Sequence, residues 1–154
     1  MIGVGSNLGD RNANLTRARD FLTKSEGIEF LKSSSLHETD PVGGPPQGKF
    51  LNTVWEIQTS LSAQDLLACL LSIEKELGRE RTVKNGPRTI DLDLLFYGDS
   101  VIHQTGLTVP HPCLHERLFV LEPLSEIAGD WVHPVLHKTV RTLLEEIHEA
   151  HPQS

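Results

Sequence analysis

From Leu51 to Gln58 the chain alternates, with Leu51, Thr53, Trp55 and Ile57 facing one way and Asn52, Val54, Glu56 and Gln58 the other. A period of two is the mark of a strand, and it fixes which side chains share a face of the sheet that the strand joins. Just beyond it the period changes. Ser62-Ala63-Gln64-Asp65 reads as a capping box, and Leu66, Leu70, Ile73 and Leu77 then recur at three- and four-residue steps up to Gly78, the pattern of an amphipathic helix. The same two periods occur on either side of this pair. Ile2-Gly3-Val4 is a short apolar strand, and Leu15, Ala18 and Leu22 stripe a helix that should stop near Gly27. Ile28 to Thr39 reads as a second strand, and Thr89 to Tyr97 alternates Ile90, Leu92 and Leu94 with Asp91 and Asp93. The succession β-α-β-β-α-β predicts an α+β fold of ferredoxin-like type, a mostly antiparallel sheet with its helices on one face.

The rest of the chain extends that core: a Gly98-Asp99 turn, a loop rich in Pro and His, an apolar stretch from Leu118 to Ile127, and a last helix carrying Val140, Leu143, Leu144 and Ile147. No repeat or low-complexity tract interrupts it, so residues 1–154 are expected to form one domain. The segment from Asp40 to Gly48 holds three Pro and three Gly and is expected to be irregular, because Pro lacks an amide donor and Gly lacks restraint.

Charge narrows the function. Fourteen Lys and Arg against twenty-one Asp and Glu give a formal charge of −7, which argues against nucleic acid and anionic membranes as partners. With two Cys and no basic-then-apolar leader at Met1-Ile2-Gly3-Val4-Gly5-Ser6, the expectation is a cytoplasmic protein with no obligate protein partner. The balance is uneven along the chain. Residues 1–88 carry eleven basic and eleven acidic side chains, and 89–154 carry three and ten. Arg79, Arg81, Lys84 and Arg88 form a cationic segment, and Asp91 and Asp93 follow at once.

Two carboxylates two residues apart on a strand project from the same face, roughly 6.5–7 Å apart at Cα. Such a pair suits Mg²⁺, a hard cation that commonly takes substrate phosphates among its remaining ligands. An isolated Asp-x-Asp would more often be a solvated strand face. Here four cations arrive beside it, and metal together with arginines around a polyphosphate is the recurring apparatus of phosphoryl transfer. Other patterns carry less. Gly43 to Lys49 begins like a phosphate-binding loop, but Phe50 stands where a hydroxyl is needed, and Pro45 and Pro46 remove amide donors. His111 with His115 and His133 with His137 have zinc-like spacing, yet Pro110, Pro112 and Pro134 break the helices that would pair them.

Several blocks together resemble the 6-hydroxymethyl-7,8-dihydropterin pyrophosphokinase family: Gly5-Ser6-Asn7-Leu8-Gly9-Asp10, Thr39-Asp40-Pro41-Val42-Gly43, Phe50-Leu51-Asn52, Gly78-Arg79-Glu80-Arg81, Gly86-Pro87-Arg88-Thr89-Ile90-Asp91-Leu92-Asp93, Val109-Pro110-His111 and Arg117-Leu118-Phe119. They run in the family's order from near residue 4 to about residue 134. The resemblance implies transfer of diphosphate from ATP to the hydroxymethyl oxygen of the pterin, releasing AMP. It implies two Mg²⁺ on Asp91 and Asp93, with Asp93 also helping to deprotonate the hydroxyl. Arg79 and Arg88 would neutralise the moving diphosphate, and Arg81, Lys84, Thr108, His111 and Arg117 would surround ATP. The pterin would lie between Phe50 and Phe119, with Asn52, Thr39 and Val42 at its edge. Asn7 and Glu74 are further family positions, and the physics of the sequence gives neither a role.

The chain departs from the family at Asn85, where an aromatic residue often stands, and at Lys84, commonly an Arg. Lys makes no bidentate fork to phosphate, so weaker closure over the nucleotide is expected. Segments 40–49 and 79–88 are the expected lids. The alternative from another class is a ferredoxin-like module that binds a nucleotide or small ligand without turnover. The Asp91/Asp93 pair beside four cations argues against it.

Overall fold

The computed structural model describes residues 1–40, 47–78 and 89–150. In chain order the core consists of β1 (Ile2–Ser6), α1 (Arg11–Lys24), β2 (Ile28–Ser33), β3 (His37–Thr39), β4 (Phe50–Thr59), α2 (Ala63–Glu76) and β5 (Asp91–Leu94). The extension adds a hairpin of β6 (Ile102–Gln104) and β7 (Leu107–Val109), a 3-10 turn at Leu114–Glu116, α3 (Leu118–Ala128) and α4 (Val140–Ala150). The sheet runs β2-β4-β1-β5, with β3 also on β4, and every pairing is antiparallel. This is the strand order of a ferredoxin-like core. Among the described residues no helix is long and apolar enough to cross a membrane.

Local chemistry sets the boundaries. Asp10 caps α1 by accepting from the Ala13 amide, and Ser62 caps α2 by accepting from the Asp65 amide, as the box at 62–65 requires. Gly27 and Gly78 follow the two helices at φ +82° and +86°, where an L side chain would be strained. Leu66, Leu70, Ile73 and Leu77 are buried together with Leu15, Ala18 and Leu22 against Ile2, Val4, Leu51, Trp55, Leu92 and Leu94. The residues in phase with Leu51 on β4 therefore face α1 and α2.

The strand read over 89–97 is confined to Asp91–Leu94, and two further expectations change in kind. The strand read over 28–39 is divided at Ser34–Leu36. The Ser34 amide donates to the Val54 carbonyl at 2.9 Å and its hydroxyl accepts from the Val54 amide at 2.9 Å, so a side chain takes over one rung and the ladder stops. The second change concerns the sheet's other face. The apolar stretch after Arg117 is α3, which packs Val120, Leu121 and Leu124 onto Val54, Leu95 and Phe96, with α4 behind it through Val140 and Leu143. Helices thus cover both faces, because Val54 and its neighbours make the second face apolar as well.

The loop between α3 and α4 is built on His133, which is 5% exposed. Its Nδ1 accepts from the Val135 and Leu136 amides at 3.2 and 3.1 Å, and its ring meets Phe96 edge-on at 5.7 Å. Burial, then the nearby His115 and His137, hold its pKa below the ordinary 6.5. Above that pH the folded and unfolded chains both carry it neutral; below it the unfolded chain takes a proton that the folded chain resists, so stability falls as pH falls. Urea unfolding from about pH 7.5 to about pH 5.5 is expected to lose stability, and His133→Gln to lose less over the same interval. His111, also held low, keeps part of the slope in the variant. An unchanged slope would contradict this role for His133.

Candidate active site

The register of three strands builds the site. On β1, Gly3 pairs with Val54 of β4 and with Asp93 of β5, and Gly5 pairs with Asn52 and with Asp91. Paired residues point to the same side, so Asp91, Asp93, Asn52 and Val54 share the face opposite α1 and α2, separated by two residues without side chains. Phe50, two before Asn52, and Thr39, paired with Phe50, extend that face. The result is a trench whose floor is the backbone of β1. An added Cβ at Gly5 would lie 2.7 Å from Asn52 Oδ1 and 3.4 Å from the Phe50 ring. Glycine at position 5 is thus required by close approach rather than by backbone angle.

The first turn of α3 forms the opposite wall. A cavity of about 480 Å³ is lined by Gly5, Thr39, Asn52 and Asp91 on the sheet side and by Phe50 and Phe119 on its flanks, within the range of small-molecule sites. Asn52 donates from Nδ2 to the Thr39 hydroxyl, which fixes the amide at the edge of the slot. Arg117 lies on this cavity too, its guanidinium 5.6 Å from the centre of the Phe119 ring.

A second cavity of about 680 Å³ opens on the other side of β5. Its walls include Leu67, Leu71 and Glu74 of α2, Thr108 of the hairpin, and His111. Asp93 lines both cavities. His111 is oriented by its own amide, which donates to the Leu95 carbonyl at 3.0 Å, and by the Cys113 amide, which donates to Nδ1 at 3.2 Å. Burial, and then the Arg117 charge, lower its pKa against an opposing pull from Asp91. A neutral ring whose Nδ1 is an acceptor carries its proton on Nε2, available as a donor.

Thr39, Phe50, Asn52, Asp91, Asp93, Arg117 and Phe119 therefore meet at the first cavity, and Glu74, Asp93, Thr108 and His111 at the second. Glu74 gains a structural account: 2% exposed, it accepts from the Leu92 amide at 3.0 Å, holding β5 at the residue between the two aspartates. Asn7 donates to Gln47 Oε1 at 2.8 Å and to the Gly48 carbonyl at 3.0 Å, so it secures the end of the 40–49 segment rather than a cavity wall. Val42, Arg79, Arg81, Lys84 and Arg88, with Asn85, lie outside the described residues.

Sequence reasoning missed Gly5 as the floor, because its neighbours in the sheet are set by register. It also missed Arg11, which donates to Glu38 at 2.8 Å and to the Lys49 carbonyl at 3.0 Å, bridging the two stems of the 40–49 segment. A lone Arg in a helix's first turn carries no signal of that task.

The Asp91 and Asp93 carboxylates are oxygen donors on one strand face, a ridge beside the first cavity that Asp93 shares with the second, and both cavities have room for phosphate oxygens. That donor set fits Mg²⁺ and not a soft metal.

Several known proteins resemble this chain. A 2-amino-4-hydroxy-6-hydroxymethyldihydropteridine pyrophosphokinase of Synechocystis is 45% identical over 147 residues, 96% of this chain and 75% of its own length. The folic acid synthesis protein fol1 of Pneumocystis carinii is 44% identical over 146 residues, and this chain spans only 20% of it. Among solved structures, Plasmodium falciparum HPPK-DHPS superposes with a TM-score of 0.77 at 13% identity, over 99% of this chain and 43% of that one, a likeness of fold. The family model for 7,8-dihydro-6-hydroxymethylpterin-pyrophosphokinase matches residues 1–129, and with that match and the Synechocystis relative the chain belongs to this pyrophosphokinase family.

Proposed function

We propose that this chain transfers the diphosphate of ATP to the hydroxymethyl oxygen of 6-hydroxymethyl-7,8-dihydropterin, with the Asp91/Asp93 ridge as the reacting centre. The observation that carries the proposal is the position of Asp93 on both cavities. Two substrates must meet at a bond-forming point, and a carboxylate shared by an aromatic slot and a second cleft that holds Glu74, Thr108 and His111 supplies one.

The slot between Phe50 and Phe119 takes the flat pterin by stacking, and Asn52 reads its edge with a donor and an acceptor. The cleft takes ATP, with Thr108 and the Nε2–H of His111 as neutral donors to its oxygens. Asp91 and Asp93 would hold the magnesium, two ions in all, which would supply charge neutralisation to the triphosphate. The pterin hydroxyl oxygen then forms a bond to the β-phosphorus, the bond from the β-phosphorus to the bridging oxygen of the α-phosphate breaks, and AMP leaves with that oxygen. The hydroxyl proton passes to Asp93. Arg117 stands by the Phe119 ring as a cation at the rim, and Arg79, Arg81, Lys84 and Arg88 are proposed to neutralise the departing charge. The aromatic slot also keeps water from the reactive phosphorus once filled.

Incubation with ATP, Mg²⁺ and the dihydropterin, followed by chromatography, is expected to give AMP and pterin diphosphate in equal amounts. ADP in place of AMP, or no turnover, would overturn the assignment. Asp93→Ala is expected to fold with little change in thermal midpoint, since Asp93 is half-buried on a strand face, while kcat falls on the order of 10³-fold or more. Near-normal kcat would remove Asp93 from the chemistry. Gly5→Ala must displace the Asn52 amide, so its KM for the pterin is expected to rise about tenfold with the KM for ATP unchanged, as steady-state kinetics would read.

A further inference from the structure

We infer that Glu126 is a positioning residue for the pterin: its carboxylate ties the β3 wall of the first cavity to the α3 wall and so sets the width of the slot a planar ring must enter. The inference rests on the pterin reading above.

Glu126 bonds the β2–β3 turn at Ser35 and the first residue of β3, His37. One oxygen accepts from the Ser35 amide at 2.8 Å and from the Ser35 hydroxyl at 2.9 Å, and the other meets the same hydroxyl at 2.9 Å and His37 Nε2 at 2.5 Å. Burial alone would raise the carboxyl's pKa, but the Ser35 amide, His37 and the Ser35 hydroxyl outweigh it and leave the group below its ordinary value. It is an anion at neutral pH, and donors to an anion make the stronger hydrogen bonds.

Both ends of this tie lead to the slot. His37 pairs with Asn52 and Thr39 with Phe50, so β3 carries the wall on which the Asn52 edge contact is made. Glu126 lies seven residues after Phe119 on α3, two helical turns, which returns to the same helix face. β3 is only three residues long, and a strand so short has few rungs to resist displacement. A carboxylate that bonds the turn before β3 to the helix bearing Phe119 therefore couples the two flanks of the slot. The Ser35, His37 and Glu126 grouping is not a hydrolytic triad, since hydroxyl and carboxylate meet the same ring nitrogen.

Misplacement by about 1 Å is enough to cost about 10²-fold in positioned reactions, so a loosened slot should show in pterin affinity first. Equilibrium titration of the wild type, Glu126→Ala and Glu126→Gln with the dihydropterin, and separately with a non-hydrolysable ATP analogue, tests this alongside steady-state kinetics. Glu126→Ala is expected to weaken pterin binding about tenfold or more, leave the ATP analogue within about twofold, and keep most of kcat at saturating pterin. Glu126→Gln keeps an acceptor for Ser35 and should recover part of the loss. Should Glu126→Ala fail to fold, Glu126→Gln and His37→Phe are expected to show the same selective loss in smaller degree. Unchanged pterin affinity, or equal weakening of both ligands, would overturn the positioning role. A wild type that binds no pterin would overturn the pterin reading and this inference with it.

Discussion

Gly5 stands between Asn52 and Asp91, and Gly3 between Val54 and Asp93, with β1 at the middle of the sheet. Every chemical feature of the site hangs on that pairing. A side chain at either glycine would fill the trench, and a slip of one residue would turn both aspartates toward α1 and α2 and send Leu92 and Leu94 to the cavity. The opposite face guards against such a slip, since Ile2, Val4, Leu51, Trp55, Leu92 and Leu94 are buried there together. The hydrophobic core of one face thus dictates the polar chemistry of the other. Glu74 strengthens the arrangement from the open edge of β5 by accepting the Leu92 amide.

The C-terminal extension then completes two compartments, one on the open sheet face and one between β5, α2 and the hairpin. α3 covers Val54, Leu95 and Phe96, and its first turn walls the glycine trench with Phe119. The β6–β7 hairpin and His111 close the other side of β5. Separate compartments on either side of one strand suit a reaction that joins two unlike molecules, because each can be bound by its own chemistry, stacking for one and polar contacts for the other, with only the reacting atoms in common.

The parts that could be read from the sequence were those set by period and by dense motifs. The capping box at 62–65 and the stripe from Leu66 to Leu77 gave a helix and its buried face, the alternation at 51–58 gave a strand and the sorting of its side chains onto two faces, and Asp91 with Asp93 declared a shared strand face by spacing alone. What stayed hidden depended on contacts between distant residues. Ser34 ends β2 through its hydroxyl on Val54, a rung no pattern marks. The stretch after Arg117 was visible as apolar but not as the helix that covers the second face. Glu126 sits 91 residues from Ser35, and Arg11 reaches 38 residues to Lys49, so neither could be recognised before the chain was folded.

Asp93, with Asp91 beside it on β5, stands between two substrate compartments. A crystal structure of the chain with Mg²⁺, the dihydropterin and α,β-methylene ATP, in which the bond to be broken cannot be cleaved, tests it most directly. The pterin is expected between Phe50 and Phe119, the nucleotide along Thr108 and His111, and metal on Asp91 and Asp93 between them. Both ligands on the same side of β5, or metal held without these carboxylates, would contradict it.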